Sequence, residues 1–67
     1  MSSVARVTTI TVRSDTSFED AIRSGIERAN QTLRHISGAW VKDQTVTIEE
    51  GKITGWQVVI EVTFVLE

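Results

Sequence analysis

The sequence predicts an α+β fold, a single βαββ domain over residues 1–67 in which a three-stranded antiparallel sheet wraps one helix. Three observations support this fold class. The chain opens with a short run rich in β-branched residues, its middle has apolar residues at three- and four-residue steps, and near its end every second residue is apolar. The second pattern is typical of an amphipathic helix and the other two of strands.

The first strand is expected over residues 4–12, where Val, Thr and Ile predominate, and turn-forming residues follow it. A helix is expected over residues 18–34, with Thr16 or Ser17 heading a capping box and with Arg34 and His35 in the last turn. We expect Gly25, which falls on the apolar stripe, to mark a close approach of helix to sheet. The stripe comprises Phe18, Ile22, Gly25, Ile26, Ala29 and Leu33.

Residues 37–38 are expected to end the helical segment, and a hairpin should follow, with strands over residues 39–48 and 53–66. Gly51 suits the left-handed position of a short hairpin loop. In the last strand the even-numbered residues 56–66 should face the helix, because side chains alternate between the two faces of a sheet. The odd-numbered face carries Val59 and Val65 and has no cover within the chain. This uncovered face favours packing against other subunits.

Composition supports the same interpretation. The chain has 67 residues and no cysteine, so no disulfide or thiolate zinc site stabilises it, and so small a domain is marginal alone. Oligomerisation is the remaining means of stabilisation. The net charge of −2 and the scattered basic residues argue against nucleic acid as a partner. No apolar run is long enough to span a membrane, so a cytoplasmic protein is expected.

Catalytic chemistry has little support. There is no cysteine nucleophile, and the one histidine, His35, falls at the expected helix end without a nucleophile pattern near it. We therefore expect a protein that is not an enzyme. The carboxylates of Asp43, Glu49 and Glu50 offer oxygens that a hard cation such as calcium prefers, but they lack the spacing of a calcium loop. No metal site is expected.

The order of strand, helix and long hairpin resembles the dodecin family over nearly the whole chain. The resemblance is carried by Ala21-Ile22, by residues 27–30 and 32–35 of the helical segment, and by the closing run of residues 56–67, WQVVIEVTFVLE. It implies a hollow homododecamer of cubic symmetry. It also implies flavin binding, with riboflavin, FMN or FAD as the ligand, in pairs near two-fold axes.

In the family a tryptophan of the second strand stacks on the flavin ring, a glutamine of the third strand binds its polar edge, and an acidic residue often contributes. Carried over, the glutamine is Gln57 and the acidic residue is Asp43, followed by Gln44. Gly38 stands at the tryptophan position. Trp40 lies two residues further on and should point to the same sheet face on a regular strand.

Two functions remain open at this point. One is an oligomeric store that sequesters flavin, supported by Gln57, Asp43, Gln44 and Trp40. The other is a shell of the same build that binds no flavin and holds another small ligand or an ion, or serves only as an assembly. Gly38 favours the second function, because it removes the family's stacking surface.

Overall fold

The computed structural model describes residues 2–66 and confirms the βαββ order. Glu67, the last residue of the closing run, lies outside the described part. The elements are β1 (Ala5–Ser14), α1 (Phe18–Asn30), β2 (Ile36–Glu49) and β3 (Lys52–Val65). The strands form one antiparallel sheet in the order β1-β3-β2, so the last strand is the central one. No helix within residues 2–66 is long and apolar enough to cross a bilayer.

The core lies between α1 and the even-numbered side chains of β3. Val58, Ile60 and Val62 are fully buried there, together with Ala21 of the helix. The prediction that the even face takes the helix is therefore confirmed. The helix packs on β1 and β3. The strongest hydrophobic burial thus falls on the central strand, as expected where one helix covers one sheet face.

Ser14 organises the turn between β1 and α1. Its hydroxyl donates to the Asp20 carboxylate at 2.6 Å and accepts from the backbone N–H groups of Thr16 and Ser17 at 2.9 and 3.4 Å. Ser17 is the N-cap, since its hydroxyl accepts from the Asp20 N–H at 3.0 Å. Of the two expected caps, Ser17 is the one used, and the Asp20 carboxylate turns to Ser14 instead of completing a capping box.

The helix ends at Asn30, so the expectation that it continues to Arg34 is wrong. Its final turn tightens, because the Gln31 N–H bonds to the Arg28 carbonyl three residues earlier. The chain must then reverse to bring β2 beside β3. His35 adopts a left-handed conformation with φ of 61°, the reversal that the helical sequence pattern did not reveal.

The strand boundaries also differ from expectation. Strand β1 runs on to Ser14, past the expected end at Val12, and β2 begins at Ile36, so residues 37–38 lie in the strand and not at a helix exit. The hairpin loop shortens to Glu50 and Gly51, whose φ values are 51° and 77°. Two successive positive φ values are typical of the tight turn that matches strand twist, so the role of Gly51 is confirmed.

Gly25 marks the close approach of α1 to the sheet, as expected. A Cβ atom added there would lie 2.5 Å from Val12 Cγ2 and 3.5 Å from the Cδ1 atoms of Ile10 and Ile60. The first distance is well inside van der Waals contact. The missing side chain therefore lets the helix sit directly on β1 and β3.

Gly25→Ala should lower the free energy of unfolding by about 1 kcal/mol, because overpacking typically costs about 2 kcal/mol and alanine's helix propensity returns about 1 kcal/mol. Thermal unfolding measures the effect. Ser24→Ala, at an exposed neighbouring helix position, is the control and should leave the midpoint close to that of the wild type. A Gly25→Ala midpoint equal to the control's would show that the close contact relaxes without cost.

Candidate functional site

The sheet face opposite α1, which we call the outer face, carries four of the five residues singled out in the sequence. Cross-strand partners point to the same face of a sheet. Because the even residues of β3 face the helix, partners of its odd residues lie on the outer face. Gly38 pairs with Thr63, Trp40 with Glu61 and Asp43 with Val59, and Gln57 itself is an odd residue of β3.

Trp40 and Gly38 share this face, as expected for residues two apart on a regular strand. The register is unbroken between them, and the irregularities of β2 lie on either side. The Trp40 side chain is 66% exposed. A Cβ atom added at Gly38 would meet nothing within 4 Å. The exposed indole of Trp40 therefore lies next to Gly38, which has free space in front of it.

Gln57 is half-buried on the outer face, and its flanking partners are Arg13 of β1 and Thr45 of β2. Trp40 lies four β3 residues away in register, at Glu61, which corresponds to about 13 Å along the strand. The two side chains therefore do not touch each other. A ligand that contacts both must extend along the sheet, or the second contact must come from a neighbouring subunit.

Gln44 is the residue that the structure does not bring to this surface. It pairs with Val58, which is fully buried under the helix, so Gln44 points to the opposite face from Gln57. The cause is a register shift between Val41 and Asp43, where β2 holds one residue more than β3. Such a bulge exchanges the faces of all residues beyond it. We therefore remove Gln44 from the candidate site.

Sequence reasoning missed a polar cluster at the hairpin end of the outer face. The Arg13 guanidinium crosses β3 above Gly55 and donates to the Thr47 hydroxyl of β2 at 2.8 Å. A Cβ atom at Gly55 would collide with that guanidinium and would lie 2.8 Å from Thr47 Oγ1. A glycine inside an expected strand was the available signal, since it often marks a close approach of another group.

Among the residues that the structure describes, the outer face has no cluster of metal-ligating side chains. Within residues 2–66, no three side chains of His, Cys, Asp or Glu are arranged to hold an ion.

Trp56, the second tryptophan, is half-buried and pairs with Ser14 on the helix side of the sheet. A separate groove of about 540 Å³ runs between α1 and β1, with Ile10, Val12 and Leu33 among its lining residues. None of the expected site residues lines it.

Comparison with known proteins assigns the chain to a family. The Dodecin family profile matches residues 4–67. This protein belongs to the dodecin family. Dodecin from Thermus thermophilus is 43% identical over 54 residues, which cover 81% of this chain and 78% of the relative. Membership implies a homo-oligomeric binding protein, and dodecins are generally flavin-binding proteins.

Solved dodecin structures share the whole fold. Dodecin from Streptomyces davaonensis superposes with a TM-score of 0.90 at 36% identity and covers 100% of this chain and 98% of its own. An arginine-to-alanine variant of the Thermus thermophilus dodecin gives a TM-score of 0.91 at 36% identity, with 98% of each chain covered. A calcium dodecin from Mycobacterium tuberculosis, described as having a novel calcium-binding site, gives 0.80 at 31% identity, with 96% of this chain and 91% of that chain covered.

Proposed function

We propose that this dodecin is a cytoplasmic flavin store, a hollow homododecamer that sequesters riboflavin, FMN or FAD and is not an enzyme. The observation that carries the proposal is the outer face, where an exposed Trp40 lies on the same side of the sheet as Gln57 and Asp43. Flat aromatic ligands bind to such surfaces by stacking, with a few polar groups fixing their orientation.

Trp40 replaces the stacking surface that the family places at Gly38. The indole lies two residues along the same strand and on the same face. The space in front of Gly38 is open, so a flavin ring resting on Trp40 can extend over the glycine without a clash. Stacking of an aromatic ring on an aromatic side chain contributes about 1–3 kcal/mol. This contribution supports measurable riboflavin binding.

Gln57 and Asp43 supply the polar side of the proposed site. A carboxamide offers both donors and an acceptor, which suits a ring edge where carbonyl and N–H groups alternate. Asp43 lies on β2 opposite Val59, between the Gln57 and Trp40 positions. Along the outer face the three side chains run from apolar at Trp40 to polar at Asp43 and Gln57. This order suits a flat ring with one apolar end and one polar end.

Assembly supports the same proposal. Trp40 is 66% exposed and Val7 is 56% exposed, and both lie on the outer face. Large apolar side chains that are exposed on an isolated subunit are typical of surfaces that contact other subunits or a ligand. In a dodecamer, a neighbouring outer face would bring a second Trp40 or Gln57 to the same ring and would shield it from water.

Trp40→Ala should weaken riboflavin binding by about one to two orders of magnitude, because it removes roughly 1–3 kcal/mol of stacking. Quenching of riboflavin fluorescence during titration measures the affinity of each protein. Trp56→Phe, on the helix side of the sheet, is the control and should bind as the wild type does.

Two outcomes of this titration would count against the proposal. A wild-type protein that assembles but leaves riboflavin fluorescence unchanged would favour the alternative, a dodecin shell that holds another ligand or none. Tight wild-type binding that Trp40→Ala leaves intact would place the ring on another surface. Light scattering of the same samples shows whether each variant still assembles.

A further inference from the structure

The structure assigns a further role to Arg13, and this inference rests on the proposed function. We infer that Arg13 is a second polar contact beside Gln57 and that the two side chains together select ligands with a cyclic imide edge. The imide group, an N–H between two carbonyls, is the polar edge of every flavin. Arg13 is thereby a specificity-determining residue for the ring and not for the ribityl or phosphate tail.

The position of the guanidinium is the first argument. It lies above Gly55, and Gly55 and Gln57 are two residues apart on the same face of β3, about 6.6 Å along the strand. Arg13 is also the direct cross-strand partner of Gln57. The two side chains therefore occupy neighbouring positions on the outer face, close enough for one ring edge to reach both.

The way Arg13 is held is the second argument. Its Nη2 atom donates to the Thr47 hydroxyl at 2.8 Å, and Thr47 Oγ1 lies 3.1 Å from Thr54 Oγ1. Within residues 2–66 no carboxylate lies at ion-pair distance from Arg13, since the ion pair found there joins Arg23 and Glu19. A hydroxyl fixes the guanidinium without neutralising its charge. A planar cation held in this way keeps donors directed at an incoming acceptor.

Donor and acceptor counts are the third argument. Gln57 can accept from the imide N–H and donate to one adjacent carbonyl, which leaves the second carbonyl without a partner. Arginine has only donors. Its guanidinium therefore matches the remaining carbonyl, and a hydrogen bond from a charged donor is stronger than one between neutral groups. The Arg13–Gln57 pair complements the complete imide edge.

The test compares three ligands on matched variants. Riboflavin, FMN and lumichrome share the imide edge, lumichrome lacks the ribityl tail, and only FMN carries phosphate. Arg13→Gln should lower the affinity for each of the three ligands by about tenfold or more, the usual loss for a charge-assisted hydrogen bond. Arg6→Gln is the control, because Arg6 lies on the same strand but on the opposite face, paired with Phe64, and it should leave all three affinities unchanged.

A second variant guards against a general loss of structure. Thr47→Val removes the hydroxyl that orients Arg13 while the guanidinium remains. It should therefore weaken binding of all three ligands by the same factor, and that factor should be smaller than the one for Arg13→Gln. Light scattering should give the same oligomer for every variant. The equal loss across the three ligands is the result that supports the inference.

Other results overturn it. If Arg13→Gln affects FMN alone, Arg13 recognises phosphate and the assignment to the ring edge is wrong. If wild type binds riboflavin and Arg13→Gln binds it equally well, this inference fails while the proposed function stands. If wild type binds none of the three ligands, the proposed function fails and the inference fails with it.

Discussion

Ile60→Ala is expected to lower the free energy of unfolding of the subunit by about 2–5 kcal/mol, the usual cost of such a truncation in a core. Ile60 is fully buried at the middle of the central strand. It pairs with Ile10 of β1 and Val41 of β2, and its Cδ1 atom reaches under α1 at Gly25. The truncation leaves a cavity where all four elements meet. Because small domains are only marginally stable, we expect partial or complete loss of the assembled protein.

Ile53→Ala is the matched control. Ile53 belongs to the same strand but is 50% exposed near the hairpin loop, so the same substitution should cost much less of the unfolding free energy. Thermal and chemical unfolding of the two variants, followed at equal subunit concentration, gives the comparison. Equal losses would mean that the assembly buries the hairpin as deeply as the core. An unchanged midpoint for Ile60→Ala would contradict the packing described here.

Gly38→Trp is expected to strengthen riboflavin binding by about ten- to a hundredfold, since one further stacked ring contributes roughly 1–3 kcal/mol. The substitution introduces the tryptophan that the family resemblance implies at this position. Nothing within 4 Å of a Cβ atom at Gly38 opposes it in the subunit. The new indole would stand on the outer face, one side-chain position from Trp40. Fluorescence quenching of riboflavin measures the gain.

Gly38→Leu separates stacking from simple filling of space. Leucine adds apolar volume at the same position but offers no aromatic face, so its gain in affinity should fall well below that of tryptophan. If leucine and tryptophan act alike, burial of apolar surface and not ring stacking drives binding. If Gly38→Trp assembles normally but gains nothing, the ring does not lie over this part of the outer face.

Much of the fold could be predicted from the sequence because one strong pattern dominates each element. The alternation around Ile60 correctly identified the residues that face the helix, and Gly25 correctly marked the close contact. The end of α1 could not be placed, because residues 31–35 still suit a helix. The chain leaves the helical conformation at Asn30 so that β2 can reach β3, a requirement of tertiary structure.

The candidate site was less predictable, and a bulge explains why. Counting by twos from Trp40 on a regular strand would put Gln44 on the outer face and Asp43 on the helix side. The extra residue between Val41 and Asp43 reverses both assignments. A single inserted residue leaves no clear mark in the sequence, yet it exchanges the two faces. Arg13 was missed for a related reason, since its contact with Thr47 joins strands 34 residues apart in the chain.

A crystal structure of the assembled wild-type protein soaked with riboflavin tests the central claim most directly. We predict ring density on the outer face against Trp40, with the polar edge of the ring at Gln57 of the same or a neighbouring subunit and Arg13 beside it. Electron density for the flavin ring in the groove between α1 and β1, or a fully soaked crystal with no flavin on the outer face, would contradict binding at this site.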